Sequence, residues 1–172
     1  MALLDIITFP NPMLAGPSEL IHPDEINDDL QKLIEDMADT LYEAPGVGLA
    51  AVQVGIPRSL VLIDPEPDPV ARNFTVLINP EIVSQDGSFL SEQEGCLSVP
   101  DYRADVNRYD SVVVEALDRN GVPIRIEAEG FEAVVFQHEI DHTRGILFID
   151  RISKLKRQLY RRKRMKQLKS KR

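Results

Sequence analysis

The sequence has one cysteine, Cys96, and no tryptophan among its 172 residues. A lone cysteine cannot form an internal disulfide, which excludes the small secreted domains that disulfides hold together. Apolar runs also stay well short of the roughly 18 residues that a membrane-spanning helix needs. The first residues lack a basic segment and are interrupted by Asp5 and two prolines, so they do not match a signal peptide. We therefore expect a cytoplasmic protein.

Acidic and basic residues are distributed unevenly along the chain. The formal charge is −8, yet residues 151–172 contain twelve Lys or Arg and neither Asp nor Glu. Residues 1–150 therefore hold eight basic and 28 acidic residues, a charge of −20. A basic tail on an acidic body is typical of proteins that bind a polyanion, such as RNA or an acidic membrane surface. A solvated, frayed C-terminus has the same composition, so both interpretations stay open at this point.

The spacing of apolar residues predicts a mixture of helices and antiparallel strands. Apolar residues three, four and seven positions apart predict an amphipathic helix over residues 26–43. The same periodicity predicts a second helix from Phe131 to near Gly145, and a basic helix within residues 151–172. Segments rich in β-forming residues predict strands at 59–63, 74–78, 111–116 and 122–126. Asn120-Gly121, between the last two, favours a tight hairpin turn. The expected class is one α+β domain.

The second predicted helix contains an H-E-x-x-H sequence, from His138 to His142. On a helix, residues four positions apart lie on the same face, so both imidazoles can bind one metal ion while Glu139 serves as a general base. Two satisfied core histidines are the alternative. The apolar residues that share the histidines' face favour the metal site.

A catalytic metal needs a third protein ligand and one open position for water. Phe148 stands where the third histidine of metzincin proteases would be. Asp150 is the only acidic residue after His142, which disfavours the downstream glutamate ligand of thermolysin-like proteases. His22 and Cys96 are the remaining ligands. Cys96 is favoured because a thiolate is the stronger and softer ligand, whereas His22 is expected to start a helix.

A glycine-rich stretch follows the first predicted helix, and its G-x-G-x-x-A pattern from Gly46 to Ala51 matches dinucleotide-binding loops. A helix and Pro45 precede it where a strand should be, and Pro57 leaves no room for the crossover helix. We therefore expect these glycines to allow close approach of the backbone to a substrate.

Three segments together resemble the three motifs of peptide deformylases, in their order and approximate spacing. They are residues 46–53 (GVGLAAVQ), 94–98 (EGCLS) and 137–145 (QHEIDHTRG). The resemblance extends over nearly the whole chain. It implies a metal hydrolase that removes the formyl group from nascent polypeptides beginning with formylmethionine, releasing formate. It also implies a catalytic domain over 1–150, with antiparallel sheets packed around a central helix carrying the H-E-x-x-H sequence, and a basic C-terminal helix over 151–172 that is not an independent domain.

The resemblance also implies a role for individual residues. The metal ligands would be Cys96, His138 and His142, and Glu139 would be the general acid and base. The developing negative oxygen would be stabilised by Gln53 and the backbone N–H of Leu97. Residues lining the substrate would be Gly48, Gly95 and Arg103, with an apolar pocket for the methionine side chain made by Val47, Phe131, Val134 and Val135. We expect Asp141 and Arg103 to support the ligating histidines or to line the substrate, and a surface ion pair is the alternative for each.

The resemblance implies iron(II) as the native metal, with zinc, nickel or cobalt tolerated, although the ligand types alone do not choose among them. It implies formylmethionyl peptides and the ribosome surface as partners, the latter through the basic helix, and neither a membrane nor DNA. Two other functions are considered. A metallopeptidase would cut internal peptide bonds, and a structural metal protein with an RNA-binding tail would need four protein ligands, of which only His22 is left to be the fourth.

Overall fold

A computed structural model describes residues 2–171. Its α-helices are α1 (Asp28–Glu43), α2 (Gly130–Thr143) and α3 (Lys154–Ser170). Its strands are β1 (Gly48–Ala50), β2 (Leu60–Ile63), β3 (Thr75–Asp86), β4 (Phe89–Cys96), β5 (Val99–Arg108), β6 (Ser111–Leu117) and β7 (Pro123–Glu129). Five strands form an antiparallel sheet in the order β1-β2-β3-β6-β7, and β4 pairs with β5 in a separate antiparallel hairpin. The expected α+β class is confirmed.

The five-stranded sheet has one helix on each face. Along β2, Leu60 and Leu62 pack in the cluster that contains the apolar residues of α1. Val61 and Ile63 point to the opposite side and pack with residues of α2. Side chains alternate between the two faces of a strand, so covering both faces leaves β2 apolar throughout. The sheet therefore fixes the position of both helices.

Helix α2 lies at the centre of the molecule and is buried on nearly all sides. Residues 133–143 are all buried, because the sheet covers one side while the hairpin and the segment after the helix cover the others. Phe131, at the start of the helix, is 59% exposed. The central helix carrying H-E-x-x-H is confirmed, and it is buried on more sides than the single apolar face of an amphipathic helix.

The β4–β5 hairpin was not expected from the sequence. Its strands are polar and irregular, with register shifts on either side of Glu94 and a left-handed backbone at Gln93 (φ 52°). The apolar alternation that identifies a strand is therefore weak here. Strand β3 also continues eight residues beyond the expected end at Ile78, past a left-handed Asn79 (φ 53°).

Helix α3 packs against the hairpin and the N-terminal segment. Tyr160 is buried beside Tyr102, with ring centroids 4.7 Å apart. The buried Arg164 donates hydrogen bonds to the carbonyl oxygen of Phe9 (2.9 Å) and to Oγ1 of Thr8 (3.0 Å). Most of its remaining residues are exposed, and the expected basic C-terminal helix is confirmed. Within residues 2–171, no helix is both long and apolar enough to span a membrane.

Candidate metal centre and substrate cleft

Cys96, His138 and His142 come together beside α2. Cys96 ends β4, and the two histidines lie one turn apart on α2. One ligand atom from each residue lies within 4.8 Å of the other two, and Sγ of Cys96 is 3.4 Å from Nε2 of His142. A metal with bonds of roughly 2.0 to 2.3 Å to sulfur and nitrogen fits such a group. Three ligands are what a catalytic site provides, since the fourth position stays open.

Glu94 fixes the orientation of His138. Its Oε1 is 2.8 Å from Nδ1 of His138, which leaves Nε2 free for a metal. Arg108 binds the same carboxylate through Nε (3.1 Å) and Nη2. Burial opposes ionisation, but the hydrogen bonds from His138 and Arg108 prevail and lower the pKa of Glu94 to about 2. Glu94 is therefore a carboxylate at neutral pH, as a partner of a ligating histidine should be.

His142 and Glu139 each have a buried polar atom without a partner in the described chain. These atoms are Nδ1 of His142 and Oε2 of Glu139. Burial lowers the pKa of His142 well below its usual value, so its imidazole is neutral, the form that binds metals. Burial raises the pKa of Glu139 to about 7. A carboxyl group with such a pKa accepts and returns a proton readily near neutral pH.

Gln53 approaches the site from the short helical turn Ala51–Val54. Its Oε1 accepts a hydrogen bond from the N–H of Ala50 (2.9 Å), which fixes which way the amide faces. Its Nε2 then points to Oγ of Ser98 (3.2 Å) and Sγ of Cys96 (3.6 Å). An amide donor is thereby held next to the ligand group.

A cleft of about 990 Å³ opens beside this group of side chains. Twelve of the residues expected in the site line it: Val47, Gly48, Gln53, Gly95, Cys96, Leu97, Arg103, Phe131, Val134, Val135, His138 and Glu139. The other two expected residues, Asp141 and His142, are buried and do not line the cleft. The valines and Phe131 give one part of the cleft an apolar wall. Arg103 is exposed, and its Nη1 donates a hydrogen bond to the carbonyl oxygen of Gln93 (3.1 Å).

Asp141 does not support a ligating histidine directly. Its carboxylate binds Arg108 (2.9 Å) and Arg151 (2.6 and 2.7 Å) in an ion-pair network that is buried except for Arg151. The alternative of an ion pair therefore describes Asp141, and Glu94 makes the contact with His138 instead. His22 is exposed and precedes the short helix Pro23–Glu25, as expected of a residue that starts a helix.

Glu94 and Arg108 are the functional residues that sequence reasoning missed. Glu94 had a signal, because it belongs to the EGCLS segment and lies two residues before Cys96, a candidate ligand. Arg108 had none, since nothing local connects it to Glu94, 14 residues away, or to Asp141, 33 residues away.

Comparisons with known proteins agree with this geometry. A family model described as polypeptide deformylase matches residues 3–158. The peptide deformylase of Desulfosudis oleivorans is 51% identical, with 98% of this chain and 96% of the relative covered. The peptide deformylase of Thermodesulfovibrio yellowstonii is 50% identical, with 95% and 97% covered. The crystal structure of a peptide deformylase from Legionella pneumophila superposes with a TM-score of 0.87 and 42% identity, covering 99% of both chains.

Proposed function

The chain belongs to the polypeptide deformylase family and hydrolyses the formyl group from the N-terminus of nascent polypeptides, and we propose that Cys96, His138 and His142 hold its catalytic metal. One observation carries this assignment. The three ligand atoms lie within 4.8 Å of one another beside the cleft, and Glu139, whose buried Oε2 has no partner in the described chain, lines the same cleft.

Glu139 is the proton carrier of the proposed mechanism. The metal, when bound, supplies a Lewis acid that makes water a nucleophile near neutral pH. Oε2 of Glu139 accepts the proton of the attacking water, because burial has raised its pKa to about 7. The same oxygen then delivers the proton to the departing α-amine, and formate is released.

Gln53 and the N–H of Leu97 are the proposed donors to the negative oxygen that develops on the formyl group. The hydrogen bond from Ala50 holds the Gln53 amide in place before the reaction, so no reorganisation is needed at the transition state. Each such donor is typically worth about 3 kcal/mol of barrier.

The apolar wall of the cleft is the proposed pocket for the methionine side chain. Val47, Val134 and Val135 are buried or half-buried, and Phe131 covers one edge. Gly48, Gly95 and Arg103 line the same cleft and are the proposed contacts of the peptide backbone. A Cβ on Gly95 would lie 3.2 Å from Nη1 of Arg103, which is within reach of that glycine.

The family is metal-dependent, and we propose iron(II) as the native metal. One thiolate and two imidazoles suit iron, zinc, cobalt and nickel alike, so support for iron comes from the family resemblance. A thiolate beside iron(II) is open to oxidation. Protein purified anaerobically should contain iron and lose activity in air, whereas the zinc form should be air-stable because zinc has no redox chemistry. Air-stable activity of an iron-loaded sample would contradict this assignment.

We also propose that α3 binds the ribosome and that the protein acts in the cytoplasm, where nascent chains emerge. Exposed cations including Arg161, Arg162 and Lys166 form a basic surface on α3, and ribosomal RNA is the polyanion that a deformylase meets. The burial of Tyr160 and Arg164 supports the further proposal that residues 151–172 belong with the catalytic domain and are not an independent domain.

A single assay series tests the proposal. Anaerobically prepared protein is offered a formyl-Met peptide and its unformylated counterpart, and formate, new peptide termini and bound metal are measured. We expect formate from the first peptide only, one metal per chain, and loss of both metal and formate release in Cys96→Ala. Cleavage of internal peptide bonds, or full metal content in Cys96→Ala, would overturn the assignment.

A further inference from the structure

A chain of alternating charges connects His138 to the molecular surface. Nδ1 of His138 contacts Glu94, Arg108 bridges Glu94 to Asp141, and Arg151 binds Asp141 from outside. The side chains of Glu94, Arg108 and Asp141 are 2 to 8% exposed. The side chain of Arg151 is 40% exposed. The chain therefore runs from the candidate metal ligand to solvent.

Arg151 completes the charge balance of this chain. Glu94 and Asp141 bring two negative charges into the interior, and Arg108 brings one positive charge. A net buried charge is unfavourable unless it is paired. Arg151 supplies the second positive charge, with Nε 2.6 Å from Oδ2 and Nη2 2.7 Å from Oδ1 of Asp141. This two-point geometry fixes the carboxylate in one orientation.

Apart from Arg151, only Arg108 donates a side-chain hydrogen bond to the Asp141 carboxylate among the described residues. Arg108 reaches only Oδ2, through Nη1 (2.9 Å). Its remaining donors, Nε and Nη2, go to Glu94. If Arg151 were absent, Asp141 would compete with Glu94 for the same guanidinium. Any shift of Arg108 toward Asp141 would loosen the carboxylate that orients His138.

We propose that Arg151 is a positioning residue for the metal centre, acting through Asp141, Arg108 and Glu94 on His138. The inference rests on the proposed function of His138 as a metal ligand. Arg151 ends the short helix Phe148–Arg151, which packs against β4, β5 and α3 and so holds Arg151 beside Asp141.

Metal affinity of the full-length protein measures this effect directly. Apo-protein is titrated with Co²⁺ against a competing chelator, and the Cys96 thiolate–Co²⁺ absorption band reports the ligand geometry. Arg151→Met is compared with Arg151→Lys, which keeps the charge but not the two-point geometry. Arg144→Met is the matched control, because Arg144 is exposed near the end of α2. Thermal unfolding of each apo-variant checks that it folds.

A double-mutant cycle separates positioning from general stabilisation. Outer partners of metal ligands are typically worth about 10- to 100-fold in affinity, and we expect Glu94→Gln to fall in that range. Arg151→Met, one step further out, should weaken Co²⁺ binding by about 3- to 10-fold, with partial recovery in Arg151→Lys. In the Glu94→Gln background, Arg151→Met should weaken Co²⁺ binding by less than about twofold, because the contact through which Arg151 acts on His138 is already lost.

Two results would overturn the inference. One is unchanged Co²⁺ affinity in Arg151→Met, and the other is an equal loss with and without Glu94→Gln. If the proposed metal site itself were wrong, the titration would give a different result. In that case the wild type would bind no stoichiometric Co²⁺, or Cys96→Ala would bind it equally well, and the proposed function would be at fault.

Discussion

Gly48 lies directly against the side chain of Glu139: a Cβ placed on Gly48 would lie 2.6 Å from Cγ and 2.7 Å from Oε1 of Glu139. Glycine is therefore required here by the proximity of Glu139, the proposed proton carrier, and not by an unusual backbone angle. Gly48→Ala should push the carboxylate out of place and lower kcat by at least about tenfold, since small displacements of a reacting group slow catalysis strongly. Gly16→Ala is the control, because the nearest atom to a Cβ there is 3.8 Å away. Wild-type kcat in Gly48→Ala would mean that Glu139 tolerates displacement.

Glu139→Gln tests the proton transfer itself. Glutamine keeps the size of the side chain but cannot accept the proton of water, so kcat on a formyl-Met peptide should fall by about 10²- to 10⁴-fold. Bound metal should be unchanged, because Glu139 is not among the three ligands. Glu132→Gln, an exposed glutamate on the same helix, should match the wild type. A Glu139→Gln enzyme that retains full activity would refute the proposed role.

Arg108→Met tests the buried ion pair. It leaves Glu94 and Asp141 buried with one cation fewer, which typically costs about 3 to 5 kcal/mol of unfolding free energy. Arg125→Met removes an ion pair with Glu115 whose side chains are more than half exposed, and such pairs are worth about 1 kcal/mol or less. Urea unfolding of the metal-free proteins distinguishes the two. Similar small losses in both variants would show that the buried network adds little stability.

Val134→Ala tests the methionine pocket. Removing the two methyl groups from the cleft wall should lower kcat/KM for a formyl-Met peptide by about tenfold, since each methylene in an apolar pocket is worth about 1 to 3 kcal/mol. The kcat/KM for a formyl-Ala peptide should change little, because alanine does not reach that wall. Val122→Ala, at an exposed site, controls for nonspecific effects. Equal losses on both peptides would place the pocket elsewhere.

Neutralising α3 tests ribosome binding without disturbing the core. Deleting residues 151–172 would uncover the apolar cluster around Tyr160, so substituting Arg161, Arg162 and Lys166 by Gln is the cleaner change. Ribosome affinity should fall, and the slope of log affinity against log salt should decrease by about 0.7 to 0.9 for each phosphate that the helix no longer neutralises. Hydrolysis of short formyl peptides should stay at the wild-type rate. Unchanged ribosome affinity and salt dependence would exclude this surface.

The sequence predicted those parts of the molecule whose physical cause is local. Helical periodicity placed His138 and His142 on one helix, because residues four apart share a face. The helix predicted from residue 26 begins at Asp28, since Asn27 caps it by accepting a hydrogen bond from the N–H of Leu30 (3.1 Å). The Asn-Gly hairpin was also found, with Gly121 in the left-handed region (φ 80°). Turns, caps and ligand spacing are determined within a few residues.

Ligand chemistry and charge were likewise predictable from the sequence. The need for a third ligand, and the absence of a suitable His or Glu downstream, favoured Cys96 on the sequence alone. The structure brings its thiol within reach of both histidines. The basic composition of residues 151–172 predicted the exposed cations of α3, although it did not predict that Tyr160 and Arg164 are buried.

Only the tertiary structure decided which distant residues support the site. Arg108 has no sequence signal as the partner of Glu94, and Asp141 was expected beside a histidine but binds two arginines. Gly48 and Glu139 are 91 positions apart, so their proximity depends on how β1 packs against α2. Short-range periodicity determines which side chains lie on each face of a helix or strand. The pairing of buried charges and the close approach of backbones depend instead on packing between elements. The candidate ligands of the metal site are thus predictable from the sequence motifs, whereas the hydrogen-bond network around them depends on the fold.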